Sequence, residues 1–208
     1  MATVNARPGE TTQGCDYYAF LLCGPPGSGR SKIGQALEWL SNDNCRFIPP
    51  YMVHSSDNRQ RLLRGELKLG DAEYRPEYLD MLLKRLDSYS LLFDEQGGAD
   101  RCRPPILGVS LFSPDERKQV SNYVNGRAPL VYLDVPDDEL RERVRKRHEQ
   151  TNSPFTPKML EEVLRCWEKP QLCESMTVFD ASGLENVKVK ARRLARLFPR
   201  FYNRHVKR

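Results

Sequence analysis

An eight-residue run near the start of the chain, Gly24–Ser31 (GPPGSGRS), constrains the fold more than any other stretch. It matches the pattern G-x-x-x-x-G-K-[ST] except at Arg30, which stands where the pattern has lysine. The apolar residues 17–23 before it predict a strand, and the apolar spacing within residues 31–40 predicts a helix. A strand, a glycine-rich turn and a helix start together form a nest of backbone N–H groups around a polyphosphate. The sequence therefore predicts a phosphate-binding loop. Its predicted contact residues are Gly24, Pro26, Gly27, Ser28, Gly29, Arg30 and Ser31.

The residue at position 30 leaves two functions open. In loops of this type the lysine contacts the β- and γ-phosphates of a nucleoside triphosphate, and the serine hydroxyl ligates Mg²⁺. Ser31 is accordingly the predicted metal ligand, with ATP and Mg²⁺ as the predicted cofactors. Arg30 keeps the positive charge in a larger, planar group and predicts either a working enzyme or a nucleotide-binding scaffold without turnover. Lys32 lies two positions too far along to replace the lysine. We favour the enzyme, in which Arg30 serves after a slight repositioning.

Composition indicates a globular protein. A chain of 208 residues is long enough for one domain with a core, and 39% hydrophobic with 29% charged residues excludes a disordered chain. No apolar run has the length of a membrane span, and residues 1–14 lack the apolar centre of a signal peptide. We expect no membrane contact. The net charge of +5 suits anionic substrates such as nucleotides as readily as nucleic acid.

The cysteines predict an intracellular, reducing compartment, either cytoplasm or nucleus. They show no C-x-x-C pair, so reduced thiols are expected and a cysteine-bound metal is not. The six are Cys15, Cys23, Cys45, Cys102, Cys166 and Cys173.

Strand and helix patterns alternate along most of the chain. Strands are predicted at 17–23, 46–53, 106–112, 130–135 and 178–179, and helices at 31–40, 76–93, 137–148, 159–167 and 187–198. The run Ser113–Glu116 (SPDE) predicts one more helix start. This alternation predicts an α/β fold: a P-loop NTPase-type three-layer sandwich with about five parallel strands, helices on both faces and a small lid. The expected division is a flexible tail over 1–15, a domain over 16–198 with its lid at about 143–157, and a basic tail over 199–208.

Together these segments resemble the small P-loop kinases over about residues 17–180. The gluconate kinases resemble the chain at His54-x-x-x-Asn58, Gly65, Leu69-x-Asp71-x-x-x-x-Pro76, Val131-Tyr132-Leu133, Arg143-x-x-x-Arg147, Pro154-Phe155, Leu160 and Glu168-Lys169-Pro170. The adenylylsulfate kinases are similar at Asp57-Asn58, Leu69-Gly70 and 113–117. The 5′-polynucleotide kinases share Gly24-x-Pro26-Gly27-Ser28-Gly29, Pro114-x-Glu116-Arg117 and Asp134-Val135-Pro136. The chain departs from these families in three places. Arg30 replaces the lysine, Met52 or Val53 stands where gluconate kinases have an acid just before the histidine, and the aromatic that follows Pro76 is displaced to Tyr78.

The resemblance implies transfer of the γ-phosphoryl group of ATP to a small polar or nucleotide-like acceptor. Nucleoside, nucleotide, sugar acid and polynucleotide 5′ end all stay open as acceptors. Asp57 is the candidate general base, with helix capping as the alternative and Asp71 as the second choice. His54 is expected to contact the substrate.

Five arginines are candidates for binding anions. Arg59, Arg61 and Arg75 are expected to hold an anionic acceptor, although a solvated helix face is the alternative. Arg143 and Arg147 are spaced i, i+4, which is typical of a lid helix whose arginines close over phosphates, or of an ordinary basic face.

Two further segments carry alternatives. The run 91–95 (LLFDE) is either a Walker B strand ending in Asp94, which would indicate an ATPase motor, or a helix end that continues a leucine stripe. The last twenty residues interleave basic and aromatic side chains, which suits single-stranded nucleic acid as well as a last helix followed by a solvated tail. The sequence leaves the oligomeric state open.

Overall fold

A computed structural model describes residues 17–41, 45–95 and 104–199. Its centre is a parallel sheet of five strands in the order β2-β3-β1-β4-β5. The strands are β1 (Phe20–Cys23), β2 (Arg46–Ile48), β3 (Pro105–Val109), β4 (Leu130–Asp134) and β5 (Thr177–Asp180). The helices are α1 (Arg30–Leu40), α2 (Ser56–Arg64), α3 (Tyr74–Glu95), α4 (Pro114–Val124), α5 (Asp137–Thr151), α6 (Pro157–Cys166) and α7 (Val187–Leu197), with a 3₁₀ turn at Pro50–Met52.

The central strand, β1, is buried on both faces. Leu21 and Cys23 belong to the core on one side of the sheet, with residues of α3 and α4, whereas Phe20 and Leu22 belong to the core on the other side, with α1 and α7. Such unbroken apolar strands are typical of parallel sheets that are covered by helices on both faces. The predicted three-layer α/β fold is therefore confirmed.

Proline shortens the second predicted strand. Pro49 and Pro50 have no N–H to donate to a neighbouring strand, so β2 ends at Ile48 and the 3₁₀ turn follows. The Walker B interpretation of Asp94 is wrong: this residue lies in the last turn of α3 and pairs with Arg127, which precedes β4. The leucine stripe continues to the end of the helix, as the alternative predicted.

Other expectations concern the surface and the thiols. In the described part of the chain, no helix combines the length and apolar character that crossing a membrane requires. The described cysteines are free thiols, and burial raises the pKa of Cys45 to about 12. Cys15, Cys102, the predicted tail over 1–15 and residues 200–208 lie outside the described residues.

Helix α1 packs closely against the sheet at Gly34. This glycine faces Phe47 of β2, and a Cβ added to it would lie 2.1 Å from the phenyl ring. Because such a distance is far inside van der Waals contact, glycine sets how closely α1 packs against β2. The position of the phosphate-binding loop depends on this contact, since the loop joins β1 to α1.

We expect Gly34→Ala to lower the free energy of unfolding by about 1–3 kcal/mol, because overpacking outweighs the gain of about 1 kcal/mol in helix propensity. Denaturant unfolding measures the change. The exposed neighbour Gln35→Ala is the control and should stay within about 0.5 kcal/mol of the native chain. A Gly34→Ala variant as stable as Gln35→Ala would contradict the packing, whereas adding Phe47→Leu should restore part of the loss.

A buried ion pair fixes the segment that follows β3. Arg117 of α4 donates to both carboxylate oxygens of Glu174, at 2.6 and 2.9 Å, and to the carbonyl oxygens of Phe112 and Glu168. The Arg117 side chain is 1% exposed. The hydrogen bonds from Arg117 hold the pKa of Glu174 below its usual value. The charged form of Glu174 is therefore stabilised by folding.

This pair makes stability depend on pH on the acidic side. A depressed folded pKa stabilises the protein above the unfolded pKa of about 4.3, and the contribution is lost as pH falls through the folded pKa. We expect Glu174→Gln to cost about 3 kcal/mol at pH 7, since it leaves Arg117 without its anion, and to flatten the fall in stability between about pH 5 and pH 3. Denaturant unfolding over this range measures both effects. The control is Glu149→Gln, at an exposed pair with Arg145, which should change neither the stability at pH 7 nor its dependence on pH. If Glu174→Gln lost as much stability between pH 5 and pH 3 as the native chain, the pair would not be the source of the pH dependence.

Candidate functional site

The predicted phosphate-binding loop leaves the carboxyl end of β1 and enters α1. Gly27 and Gly29 have φ values of +91° and +97°, in the left-handed region that side chains with a Cβ rarely adopt. Gly24 is required for space: a Cβ there would lie 2.7 Å from the Ser28 hydroxyl oxygen. The backbone of the loop is thus shaped by glycine at the positions that the pattern specifies.

The start of α1 offers unpaired amides. The first four N–H groups of a helix have no partner within it, and the N-cap, Gly29, supplies no side-chain acceptor. The helix dipole adds partial positive charge at this end. The Ser28 hydroxyl is buried and has no hydrogen-bond partner among the described residues. This loop therefore fits a ligand that brings several anionic oxygens, such as the phosphates of a nucleotide.

Ser31 lies in the first turn of α1 with an exposed side chain. Mg²⁺ prefers oxygen ligands and commonly takes most of them from water and substrate phosphates, so one serine hydroxyl beside a phosphate loop fits its needs. Within the described ranges, no three His, Cys, Asp or Glu side chains cluster into a metal site. Any Mg²⁺ held here would rest on Ser31 and the nucleotide.

Arg30 points toward the end of β3. Its Nη1 donates to the carbonyl oxygen of Val109 at 2.5 Å and to Ser110 Oγ at 2.7 Å, and the residue is 8% exposed. Burial lowers the pKa of this guanidinium, and the positive charge of Arg147 acts in the same direction. The Nη1 group of Arg30 thus joins the loop to the neighbouring strand, and the expectation that Arg30 replaces the lysine at the phosphates stays a prediction.

Ser110, just after the carboxyl end of β3, binds three side chains from two helices, α1 and α3. Besides accepting from Arg30, it donates its N–H to the hydroxyl of Tyr78 at 2.9 Å, and its carbonyl accepts from Arg75 at 2.6 Å. All three of its polar groups are used, and the residue is 1% exposed. The end of β3 is thereby fixed relative to the loop and to α3.

Arg75 differs from its prediction. Its Nε and Nη2 bind the carboxylate of Glu116 at 2.7 Å each, Nη1 donates to the carbonyl of Leu69, and the guanidinium lies over the rings of Tyr78 and Phe112. The side chain is 11% exposed. Since its donors are engaged inside the protein, Arg75 holds the β3–α4 connection rather than an acceptor.

The segment after β2 carries the remaining acceptor candidates. His54 is buried beside Tyr74 and Tyr78 and hydrogen-bonds the Tyr74 hydroxyl. It therefore packs against α3 and is not open to a substrate. Asp57 lies in the first turn of α2 and is exposed. The N-cap of α2 is Ser55, whose hydroxyl accepts from the N–H of Asn58. The capping alternative for Asp57 is therefore wrong.

Asn58 orders the side chains around α2. It is 2% exposed and donates to Glu77 at 2.7 Å, while its carbonyl oxygen accepts from Arg61 at 3.4 Å. Arg61 is half-buried, and Asp71 accepts from the N–H of Lys68 in a turn. The side chain of Arg59 lies outside the described part.

The two predicted lid arginines have different surroundings. Arg143 donates to the carbonyl oxygens of Gly27 at 3.2 Å and Ala181 at 2.9 Å, and it pairs with Glu139. Arg147 is exposed, and its guanidinium lies 5.9 Å from the centre of the Phe155 ring. Arg143 thus joins the loop to the segment after β5, and Arg147 leaves its charge at the surface.

Sequence reasoning missed the buried residues that hold the loop and the end of β3 in place. Ser110 and Tyr78 carry no motif. Glu116 did carry a signal, because S-x-x-E is a capping box: Ser113 Oγ accepts from the N–H of Glu116, whose carboxylate reaches back to the N–H of Phe112 at 2.6 Å. The sequence gave no sign of its second partner, Arg75.

Comparison with known proteins supports the fold. Neither a protein-family model nor a curated protein sequence matches this chain. A sugar kinase from a Janibacter species has a similar structure, with a TM-score of 0.67 and 18% identity over 92% of this chain and 99% of that one. A gluconokinase from Sinorhizobium meliloti has a TM-score of 0.61 and 20% identity, over 90% of this chain and 98% of that one. A shikimate kinase from Bacteroides thetaiotaomicron has a TM-score of 0.50 and 19% identity, over 86% of this chain and 96% of that one. At these identities the similarity establishes that the chain has the fold of small P-loop kinases.

Proposed function

We propose that this protein is an ATP- and Mg²⁺-dependent kinase that transfers the γ-phosphoryl group to a small polar or nucleotide-like acceptor. One observation carries the proposal: the loop between β1 and α1 has glycines at positive φ and ends at a glycine N-cap, so amides at the start of α1 are free of side-chain caps. The likeness to proteins titled sugar kinase, gluconokinase and shikimate kinase, over nearly their whole lengths, supports a small acceptor.

The residues of the loop divide the work of binding. The backbone from Gly24 to Ser31 would hold the phosphates, and the Ser31 hydroxyl would ligate Mg²⁺. When bound, Mg²⁺ neutralises charge that develops on the phosphoryl oxygens. The buried Ser28 hydroxyl would gain a partner there, which removes the cost of burying it unpaired.

Positive charge at the γ-phosphoryl group is the second requirement. Arg30 hydrogen-bonds Val109 and Ser110, and Arg143 pairs with Glu139, so both guanidinium groups are engaged by the protein. Arg147 forms no ion pair with any residue that the structure describes, and its charge is close enough to affect Arg30. We therefore assign the transition-state charge to Arg147, with Arg143 positioning the loop.

The acceptor would bind against α2. A hydroxyl acceptor gains from a carboxylate that takes its proton, and Asp57 is exposed in the first turn of this helix. Arg61, anchored by Asn58, and Arg59 on the same helix would hold an anionic part of the acceptor.

The test is an ADP-release screen with ATP and Mg²⁺ over sugars, sugar acids, nucleosides, nucleotides and 5′-hydroxyl oligonucleotides. We expect turnover with one class, and we expect Asp57→Asn to reduce kcat by about 10²–10⁴-fold with little change in ATP binding. Asp115→Asn, at an exposed position of α4, is the control and should retain full activity. ATP binding without ADP release for every acceptor would reject the kinase.

The main alternative is a nucleotide-binding scaffold, and the engaged side chain of Arg30 favours it. We expect Arg30→Lys to keep ATP binding and to lower turnover, because lysine cannot hold the loop to β3 through the same two bonds. Arg30→Met should also lower the free energy of unfolding by about 1–3 kcal/mol by leaving buried acceptors unpaired. Activity that appears in Arg30→Lys but is absent from the native chain would instead establish the scaffold.

A further inference from the structure

Helix α7 carries a stripe of exposed basic side chains. Lys188, Arg192 and Arg196 are spaced i, i+4, i+8, so they lie along one side of the helix with α-carbons about 6 Å apart. The opposite side of the helix is buried, with Ala191 and Leu194 inaccessible in the core. The stripe therefore faces outward from the layer that α7 forms with α1.

The charges of this stripe are not neutralised by the protein. None of its three residues forms an ion pair within the described residues; the acid nearest in sequence, Glu185, pairs with Arg193 instead. On α5, by contrast, three of the exposed basic residues are paired: Arg141 with Glu161, and both Arg145 and Lys146 with Glu142. Helix α7 thus presents, in one row, three positive charges without ion-pair partners in the described part of the chain.

An exposed aromatic side chain lies beside the stripe. Trp39, near the end of α1, is 55% exposed, and the Lys188 ammonium lies 4.2 Å from the centre of its ring. A cation next to an accessible aromatic face is the arrangement on which bases of single-stranded nucleic acid stack while the backbone phosphates meet basic groups.

A membrane surface fits this face less well. A helix that binds in the bilayer interface inserts its apolar side, and that side of α7 is packed into the core through residues such as Leu194. The sequence beyond the last described residue continues with basic and aromatic residues, among them Arg200, Phe201, Tyr202 and Arg204. Polyanions with stacking bases are the chemistry that this composition complements.

We propose that the outer face of α1 and α7, defined by Trp39, Lys188, Arg192 and Arg196, binds single-stranded nucleic acid. Trp39 stacks with a base, and the three basic residues neutralise about three phosphates. Trp39 lies nine residues after Arg30 in α1, about 14 Å along the helix axis, so this face is separate from the phosphate-binding loop. The proposal is independent of the proposed kinase.

The test of this nucleic-acid face is a binding titration with a labelled oligo(dT) or oligo(U) of about 12 nucleotides. Binding is followed by fluorescence anisotropy, without ATP, at several salt concentrations. Each neutralised phosphate contributes about −0.7 to the slope of log K against log[salt] for single strands. The triple variant Lys188→Gln, Arg192→Gln, Arg196→Gln should therefore flatten the slope by about 2. A matched triple on α5, Arg141→Gln, Arg145→Gln, Lys146→Gln, removes the same charge and should leave the slope unchanged.

Trp39 gives a second, separable readout. Trp39→Leu should weaken binding by about 5- to 150-fold, the range for losing one stacked base, while the salt slope stays as in the native chain. Circular dichroism checks that each variant is folded. The proposal is overturned by an equal slope change in the α5 triple, by unchanged affinity in Trp39→Leu, or by a native chain that binds vesicles of anionic phospholipid but no oligonucleotide.

Discussion

The candidate site depends on one buried polar residue, Ser110, which ends the strand next to the phosphate-binding loop. Its hydroxyl, N–H and carbonyl are bound by Arg30 from the loop, and by Tyr78 and Arg75 from α3. Because each unpaired buried group costs about 1–3 kcal/mol, the partners cannot move independently without leaving a group unsatisfied. Apolar packing sets the three layers, but this network sets where the loop lies relative to the acceptor side.

The network explains how an arginine is compatible with a phosphate-binding loop. The conformation of the loop comes from Gly27 and Gly29, and the amides come from the start of α1; neither depends on the side chain at position 30. Arg30 has the reach to bind Val109 and Ser110 together, and its charge stays buried. In the proposed kinase, the backbone that binds phosphate and the cation that assists transfer would therefore be separate, whereas a lysine at this position unites them.

Local signals account for what the sequence could predict. Glycine chemistry identified the loop, helical periodicity identified α1 and α3, and the run Ser113–Glu116, with its proline and acids, identified the start of α4. Each of these signals depends on residues within one or two turns. Glu116, which pairs with Arg75, lies 41 residues away along the chain, and the two partners of Arg30 lie 79 and 80 residues away. No periodicity encodes such pairs, so the sequence did not predict the internal hydrogen bonds of Arg30 and Arg75. His54 was misassigned for the same reason, because the tyrosines that bury it come from α3.

The distribution of charge follows from the same reasoning. Around the loop, guanidinium groups are engaged by the protein: Arg75 by Glu116, Arg143 by Glu139 and Arg30 by a carbonyl and a hydroxyl. In the proposed kinase, attraction of a triphosphate would then fall mainly to backbone amides, the helix dipole and the exposed Arg147. Fixed dipoles need no rearrangement to act, and they lose little to salt compared with exposed side chains, because screening weakens interactions between solvated charges most. A site built in this way should bind nucleotide with a weak salt dependence, in contrast to the solvated basic face of α7.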